Sequence, residues 1–210
     1  MNRFKIKISI VLLMLVLVSQ QLSACSMYKI TVGNKTMVGC NEDAWRLTPH
    51  VWFENSVSNN RFGAAFTGSR FDGVNGYAPQ SGMNDAGLCY SRLATYAPPT
   101  PKGFIKTGMA IQNPTLYLKD ILHNCQSVDE VKAYISQYDH SFFTEDVFIY
   151  VDRFGHYLVV EPYRLRIGNQ ANYVLSNFCP SVTNDKAACR IDRYRNGIEF
   201  LKRGADTTLL

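Results

Sequence analysis

Residues 26–32 alternate between apolar and polar positions and are rich in β-branched types. Gly33-Asn34-Lys35 supplies a turn, and the apolar pattern resumes at 36–39. This spacing predicts a β-hairpin. Segments 50–54, 63–68, 88–94, 147–151, 156–161 and 173–175 also read as strands, with Asp152-Arg153-Phe154-Gly155 as the tight turn between the fourth and fifth of these. Helical periodicity is rarer. Ser127 followed by Glu130 forms a capping box ahead of 131–138, and 115–125 is a short helix just before it. A third helix is expected over 185–202, with Ile191, Tyr194, Ile198 and Leu201 on one face and Gly204 as its C-cap. The Pro-rich stretch 96–103 reads as an exposed loop. Runs of strands around a central helical block predict an α+β domain with antiparallel sheets.

The pattern before residue 25 is of another kind. Arg3, Lys5 and Lys7 precede an uncharged apolar run at 8–18, and Leu22-Ser23-Ala24 offers small residues for cleavage. This is the layout of a secretory signal peptide over 1–24. The apolar run is too short for a membrane span, which needs roughly 20 residues. Removal of 1–24 makes Cys25 the first residue of a domain 25–210 and places the protein outside the cell or in the periplasm.

The formal charge of +5 on 210 residues shrinks when three basic residues leave with the signal. The near-neutral remainder lacks the basic footprint of a nucleic-acid binder. All six cysteines, Cys25, Cys40, Cys89, Cys125, Cys179 and Cys189, follow the cleavage point. An oxidising compartment permits disulfides; the even count is compatible with three bridges, and a free Cys25 would leave one thiol over. No cysteine or histidine cluster has zinc spacing. No metal or organic cofactor is implied. The oligomeric state is open, and a homo-oligomer is compatible with the sequence.

A cysteine at a chain's first position supplies two catalytic groups. Its thiolate attacks a carbonyl carbon, and its α-amine, with an ordinary pKa near 7.7–8.0, takes the thiol proton and returns one to the leaving amine. The four histidines show no pattern that pairs one with a cysteine. Two other readings use the same residue. Leu22-Ser23-Ala24-Cys25 also fits a lipobox, whose cysteine is alkylated with diacylglycerol and holds a lipoprotein on a membrane. The first 25 residues taken alone favour that reading. A structural cysteine is the third.

The residues after Cys25 reverse the balance. The stretch CSMYKITVGNKTMVGCNEDAW resembles the start of mature linear amide C–N hydrolases, the choloylglycine hydrolase and penicillin V acylase group of the N-terminal-nucleophile superfamily. There a nucleophilic cysteine opens a hairpin whose second strand ends in G-x-N-x-D-[WF]. Here that motif is Gly39-Cys40-Asn41-Glu42-Asp43, with Ala44 inserted before Trp45. Gly82-Met83-Asn84 through Gly87-Leu88, Asp152 through Glu161, Tyr173 through Phe178 and Asp192-Arg193-Tyr194 resemble four further segments in family order.

The resemblance implies the four-layer αββα sandwich with antiparallel sheets and hydrolysis of a linear amide, such as an N-acyl amine, bile-salt or penicillin-like substrate. Cys25 would be nucleophile and, through its amine, base. Asp43 would hold that amine. Asn177 would donate to the oxyanion, with a backbone N–H near Ala94 or Thr95 as the second donor. Arg193 would favour the thiolate, with Arg190 as its stand-in. Asn84 would lie on the substrate side. Each has a plainer reading: a turn residue for Asp43 and Asn84, a strand-end residue for Asn177, a solvated helix charge for Arg193. An acyltransferase, passing the same thioester to an amine, is the neighbouring activity. Two departures stand out. Cys40 occupies a place where the bile-salt and penicillin enzymes often carry arginine, which argues against bile-salt specificity. The chain is also shorter than family members usually are, so a fold truncated at its C-terminus is expected.

Overall fold

The computed structural model describes residues 25–43, 46–57 and 60–203. The predicted signal peptide, Ala44, Trp45 and the predicted C-cap Gly204 lie outside them. Twelve strands are present among the described residues: β1 (Ser26–Val32), β2 (Lys35–Asn41), β3 (His50–Glu54), β4 (Ala64–Gly68), β5 (Arg70–Phe71), β6 (Tyr77–Ala78), β7 (Ser81–Asn84), β8 (Cys89–Ala94), β9 (Asp146–Val151), β10 (Tyr157–Glu161), β11 (Arg164–Gly168) and β12 (Asn172–Ser176). The helices are α1 (Pro114–Asn124), α2 (Val128–Ile135), α3 (Asp185–Ala188) and α4 (Asp192–Lys202). Pairing between these strands is antiparallel throughout, in a three-stranded sheet β12-β1-β2, a seven-stranded sheet β11-β10-β9-β8-β7-β4-β3 and the small pair β5-β6.

Side-chain alternation assigns each sheet face to a layer. Tyr90, Phe148, Tyr150, Leu158 and Val160 turn one face of the large sheet toward Leu118, Ile121 and Leu122 of α1 and Val131 and Ile135 of α2. Leu93, Val147, Ile149, Val151, Tyr157 and Val159 turn its other face toward Cys25, Met27 and Leu175 of the small sheet. The far side of the small sheet packs Tyr28, Ile30 and Val174 against Ile198 and Leu201 of α4. The order is helix, sheet, sheet, helix. It explains why residues 147–151 are all buried and read as an unbroken apolar run rather than an alternating one: β9 is covered on both faces. Burial of apolar surface in these layers, at roughly 25 cal/mol per Å², is the main force holding the two sheets face to face.

Local chemistry sets the element ends. Asn113 caps α1 through Leu116 N at 3.0 Å, and Pro114 stands at its first position, where no N–H is needed. Ser127 caps α2 through Glu130 N, whereas the Glu130 carboxylate bonds Gln126 N rather than completing the reciprocal box. Gly33 takes φ +60° in the first hairpin turn, a region closed to most side chains. The helix expected over 185–202 is two helices, broken at 189–191. The break lets Ala188 reach the inter-sheet core while Ile198 and Leu201 reach the outer one. Gly197 lets α4 approach β1 closely, since a Cβ there would lie 2.3 Å from the Tyr28 ring. Strands β5, β6, β7 and β11 lie outside the segments that the sequence pattern marks as strands.

One buried group makes the fold acid-sensitive. His140 is 7% exposed, lies against Tyr117, Phe143 and Phe148, and neither ring nitrogen has a hydrogen-bond partner among the described residues. Burial drives its pKa down to about 4, against the opposing pull of Asp139. The unfolded chain therefore takes up this proton below about pH 6.5, and the folded chain only near 4. Stability is present in full above 6.5 and drains as pH falls through the window 6.5 to 4, by roughly 3 kcal/mol. Urea unfolding at pH 7 and pH 4.5 should show the loss, and His140→Phe should reduce it.

Candidate active site

Cys25 stands one residue before the central strand of the small sheet. The β1–β12 ladder pairs Ser26 with Ser176, so its continuation brings Asn177 alongside Cys25. The β1–β2 ladder pairs Ser26 with Asn41, so on the other flank Cys25 meets Glu42 and Asp43. Side-chain bonds follow this placement. The Ser176 hydroxyl donates to the Cys25 carbonyl at 2.9 Å, and the Cys25 thiol donates to the Asp43 carbonyl at 3.9 Å. Asn177 Nδ2 donates to the Ala94 carbonyl at 2.7 Å, linking the small sheet to the end of β8 in the large one. Arg193, in the first turn of α4, donates to Asn177 Oδ1 at 3.1 Å. An oxygen facing a guanidinium and a nitrogen facing a carbonyl fix which way the amide lies, because a flip would lose both bonds.

The structure thus brings Cys25, Asp43, Asn177, Ala94 and Arg193 together, with three refinements to the expected roles. Arg193 contacts Asn177, so the cation orients the amide beside the thiol. Arg190 is exposed in the break between α3 and α4. Thr95 N–H donates to the Glu145 carbonyl at 2.9 Å and is committed to the sheet. Backbone N–H groups alternate in direction along a strand, so the Ala94 N–H points away from β9, and Ala94 is the better placed of the two.

Asn84 lies elsewhere. Its side chain is on the helical side of the large sheet, 3% exposed, donating to the carbonyls of Leu122 and Cys125 at 2.7 Å each and accepting from Leu88 N at 2.9 Å. It ties the β7–β8 turn to the end of α1, which makes it a structural residue rather than a substrate contact. Asn84→Ala should cost about 2–4 kcal/mol in denaturant unfolding, since buried backbone groups lose their partners, while kcat of the folded protein stays unchanged.

Sequence reading passed over Glu42 and Ser176. Burial pushes the Glu42 carboxyl up, and the Ser81 hydroxyl offsets part of this. The signal available was register: residues opposite Cys25 in the hairpin could be counted from the turn. All six cysteines are free thiols. A groove of about 510 Å³ lined by Tyr28, Met37, Phe200 and Leu201 lies on the outer face of the small sheet, away from the inter-sheet side occupied by Cys25.

Two facing antiparallel sheets between helical layers, with a cysteine heading the central strand of one of them, form the αββα sandwich that the resemblance implies. Among solved structures, an arginine-to-leucine variant of conjugated bile acid hydrolase from Clostridium perfringens aligns with a TM-score of 0.54 and 22% identity over 81% of this chain and 57% of that one. A cysteine-to-alanine mutant of the same hydrolase aligns at 0.53 with 22% identity over the same shares. Penicillin V acylase from Agrobacterium tumefaciens aligns at 0.52 with 15% identity, over 75% of this chain and 53% of that one. These are the two enzyme types that the sequence resembles, and at such identity the likeness shows a common fold. The chain spans a little over half the length of these proteins. No protein-family model matches the sequence, and no curated protein does.

Proposed function

We propose that this protein is an amidase that cleaves a linear amide C–N bond, with Cys25 as nucleophile once segment 1–24 has been removed during export. The observation that carries the reading is the convergence on Cys25 of an amide donor held from both ends, Asn177 between Arg193 and Ala94, with Asp43 on the opposite flank.

The α-amine of Cys25 takes the thiol proton, and the thiolate attacks the substrate carbonyl. Negative charge gathers on the carbonyl oxygen as the tetrahedral intermediate forms. Asn177 Nδ2 and the Ala94 N–H stabilise it there, as donors already aimed at the place where the charge develops. The ammonium of Cys25 then protonates the departing amine and leaves a thioester. The same amine activates the water that releases the acid. Asp43 holds the amine toward the thiol. An amine acceptor in place of water would make the protein an acyltransferase.

The pattern Leu22-Ser23-Ala24-Cys25 supports a second reading, a lipoprotein anchored through the Cys25 sulfur. The two are chemically exclusive, since a thioether is no nucleophile and an acylated amine no base. Intact mass and N-terminal sequencing of the exported protein, combined with iodoacetamide labelling, separate them. The amidase reading expects a chain that begins at unmodified Cys25, with the label on that residue. A diacylglyceryl mass on Cys25, or full activity in protein that retains 1–24, would overturn it.

A further inference from the structure

Extending the β1–β2 ladder by one pair beyond Ser26 and Asn41 sets Glu42 directly opposite Cys25. Opposite residues of an antiparallel pair point to the same side of the sheet, with Cβ atoms about 4.5–5.5 Å apart. That side is the inter-sheet one, because Cys25 and Met27 lie in the core shared with Leu93 and Val147. Facing them from the large sheet are Ser81 and Ser91, a cross-strand pair of β7 and β8. Ser91 alternates with Leu93 and so shares its face.

Here polar atoms sit unsatisfied in an otherwise apolar layer. Ser91 is 1% exposed, and its hydroxyl has no hydrogen-bond partner among the described residues. The Cys40 sulfur, opposite Met27 on the same face, neighbours the Ser91 hydroxyl but is a weak acceptor for it. Glu42 Oε1 is enclosed and likewise without a donor among the described residues. The Ser81 hydroxyl, shared with Thr67 at 2.6 Å, offsets part of the cost of burying this carboxyl but leaves Oε1 without a donor. Leaving a carboxyl oxygen and a hydroxyl in this state costs free energy that apolar residues of the same size would avoid. Cleavage frees one ammonium here, the α-amine of Cys25, which the proposed mechanism commits to Asp43; the orphaned groups therefore call for a further partner. The missing partner must donate to a carboxylate and also bond a hydroxyl. A primary ammonium does both, with three donors and the complementary charge.

Resting on the assignment of Cys25 as nucleophile, we infer that Glu42 and Ser91 form an ammonium subsite beside it, and that the preferred substrates are amides whose acyl part carries a primary amine close to the scissile carbonyl. An α-aminoacyl group attached to the Cys25 sulfur has its nitrogen one carbon from the carbonyl, within reach of a carboxylate on the facing residue. A purely apolar acyl group would leave the enclosed Oε1 of Glu42 unpartnered, so the same side chain that attracts one class disfavours the other.

Two 4-nitroanilides that differ only in the amine test this with exported protein: phenylglycyl-4-nitroanilide and phenylacetyl-4-nitroanilide. The expected kcat/KM favours the amine-bearing substrate by about 10²-fold or more. Glu42→Gln should lower that preference at least about tenfold, chiefly through KM of the amine-bearing substrate. A wild-type preference for the phenylacetyl compound, or an equal loss on both substrates in Glu42→Gln, overturns the inference. Binding separates it from the nucleophile assignment. In Cys25→Ala protein, phenylglycinamide should raise the melting temperature where phenylacetamide does not, and adding Glu42→Gln should abolish the difference. A shift that survives Glu42→Gln overturns the subsite. If both anilides are inert and this binding pattern holds, the subsite stands and the nucleophile reading falls.

Discussion

Cys25→Ala is expected to lower kcat for amide cleavage by at least about 10⁴-fold, the scale seen when a nucleophile that works as part of a unit is removed. The protein should remain folded, because the change deletes one sulfur from a small side chain at the head of β1. The bond from the Ser176 hydroxyl to the Cys25 carbonyl does not depend on that side chain. Circular dichroism and melting temperature should therefore match those of the parent while turnover of an anilide substrate disappears. Cys25→Ser is the informative companion. It keeps the α-amine and the geometry and replaces the thiol by a hydroxyl, which is far harder to deprotonate. A residual rate well below wild type but above Cys25→Ala is the expected result. Normal turnover in the alanine variant would remove the mechanism altogether.

The second large effect is expected at Asn177. Replacing it with alanine should reduce kcat by about 10²–10³-fold, equivalent to roughly 2.7–4 kcal/mol of lost transition-state stabilisation, with KM little changed. The stability cost should be small. The bond from Asn177 to the Ala94 carbonyl lies in an exposed setting, where water replaces a lost partner. Arg193→Ala should act in the same direction but less strongly, since it releases the orientation of the amide without deleting the donor. The combined variant should fall well short of the product of the two losses, because both act on one group. If Asn177→Ala instead lowers the melting temperature and leaves kcat alone, Asn177 is a strand-end residue and no more.

The two residues illustrate what kind of information each level carried. Cys25 was legible as a candidate because a signal-peptide pattern and the hairpin that follows it are local features, written in consecutive residues. The same is true of the Ser127 cap and the Asp152–Gly155 turn, where a side chain bonds a backbone group a few positions away. Asn177 was legible only through a motif, and its partners were not. Arg193 lies 16 positions and Ala94 lies 83 positions from it, and no local pattern relates them. The strand β7 was missed because Ser-Gly-Met-Asn has low strand propensity. Gly82 is nonetheless needed there, since a Cβ would come within 2.8 Å of the Ala65 carbonyl. The exposed edge strand β11 was missed because alternating arginines on a strand with little to bury resemble loop. The break between α3 and α4 was missed because the apolar face of 185–202 is continuous in sequence yet serves two different cores.

Sequence by itself determined the α+β class, the hairpin headed by Cys25, the capped helices and the identity of most residues gathered at the site. Those depend on period, propensity and short-range hydrogen bonding, which act over a few neighbours. Only the tertiary structure decided that Thr95 spends its N–H on Glu145, that Asn84 faces the helices, that Arg193 reaches Asn177 and that the Cys25 thiol meets the Asp43 carbonyl. Each of these follows from strand register and sheet stacking. In a two-faced, pleated layer a shift of one position reverses the direction of every side chain and every N–H, and the register is set by how the apolar faces of the whole molecule fit together.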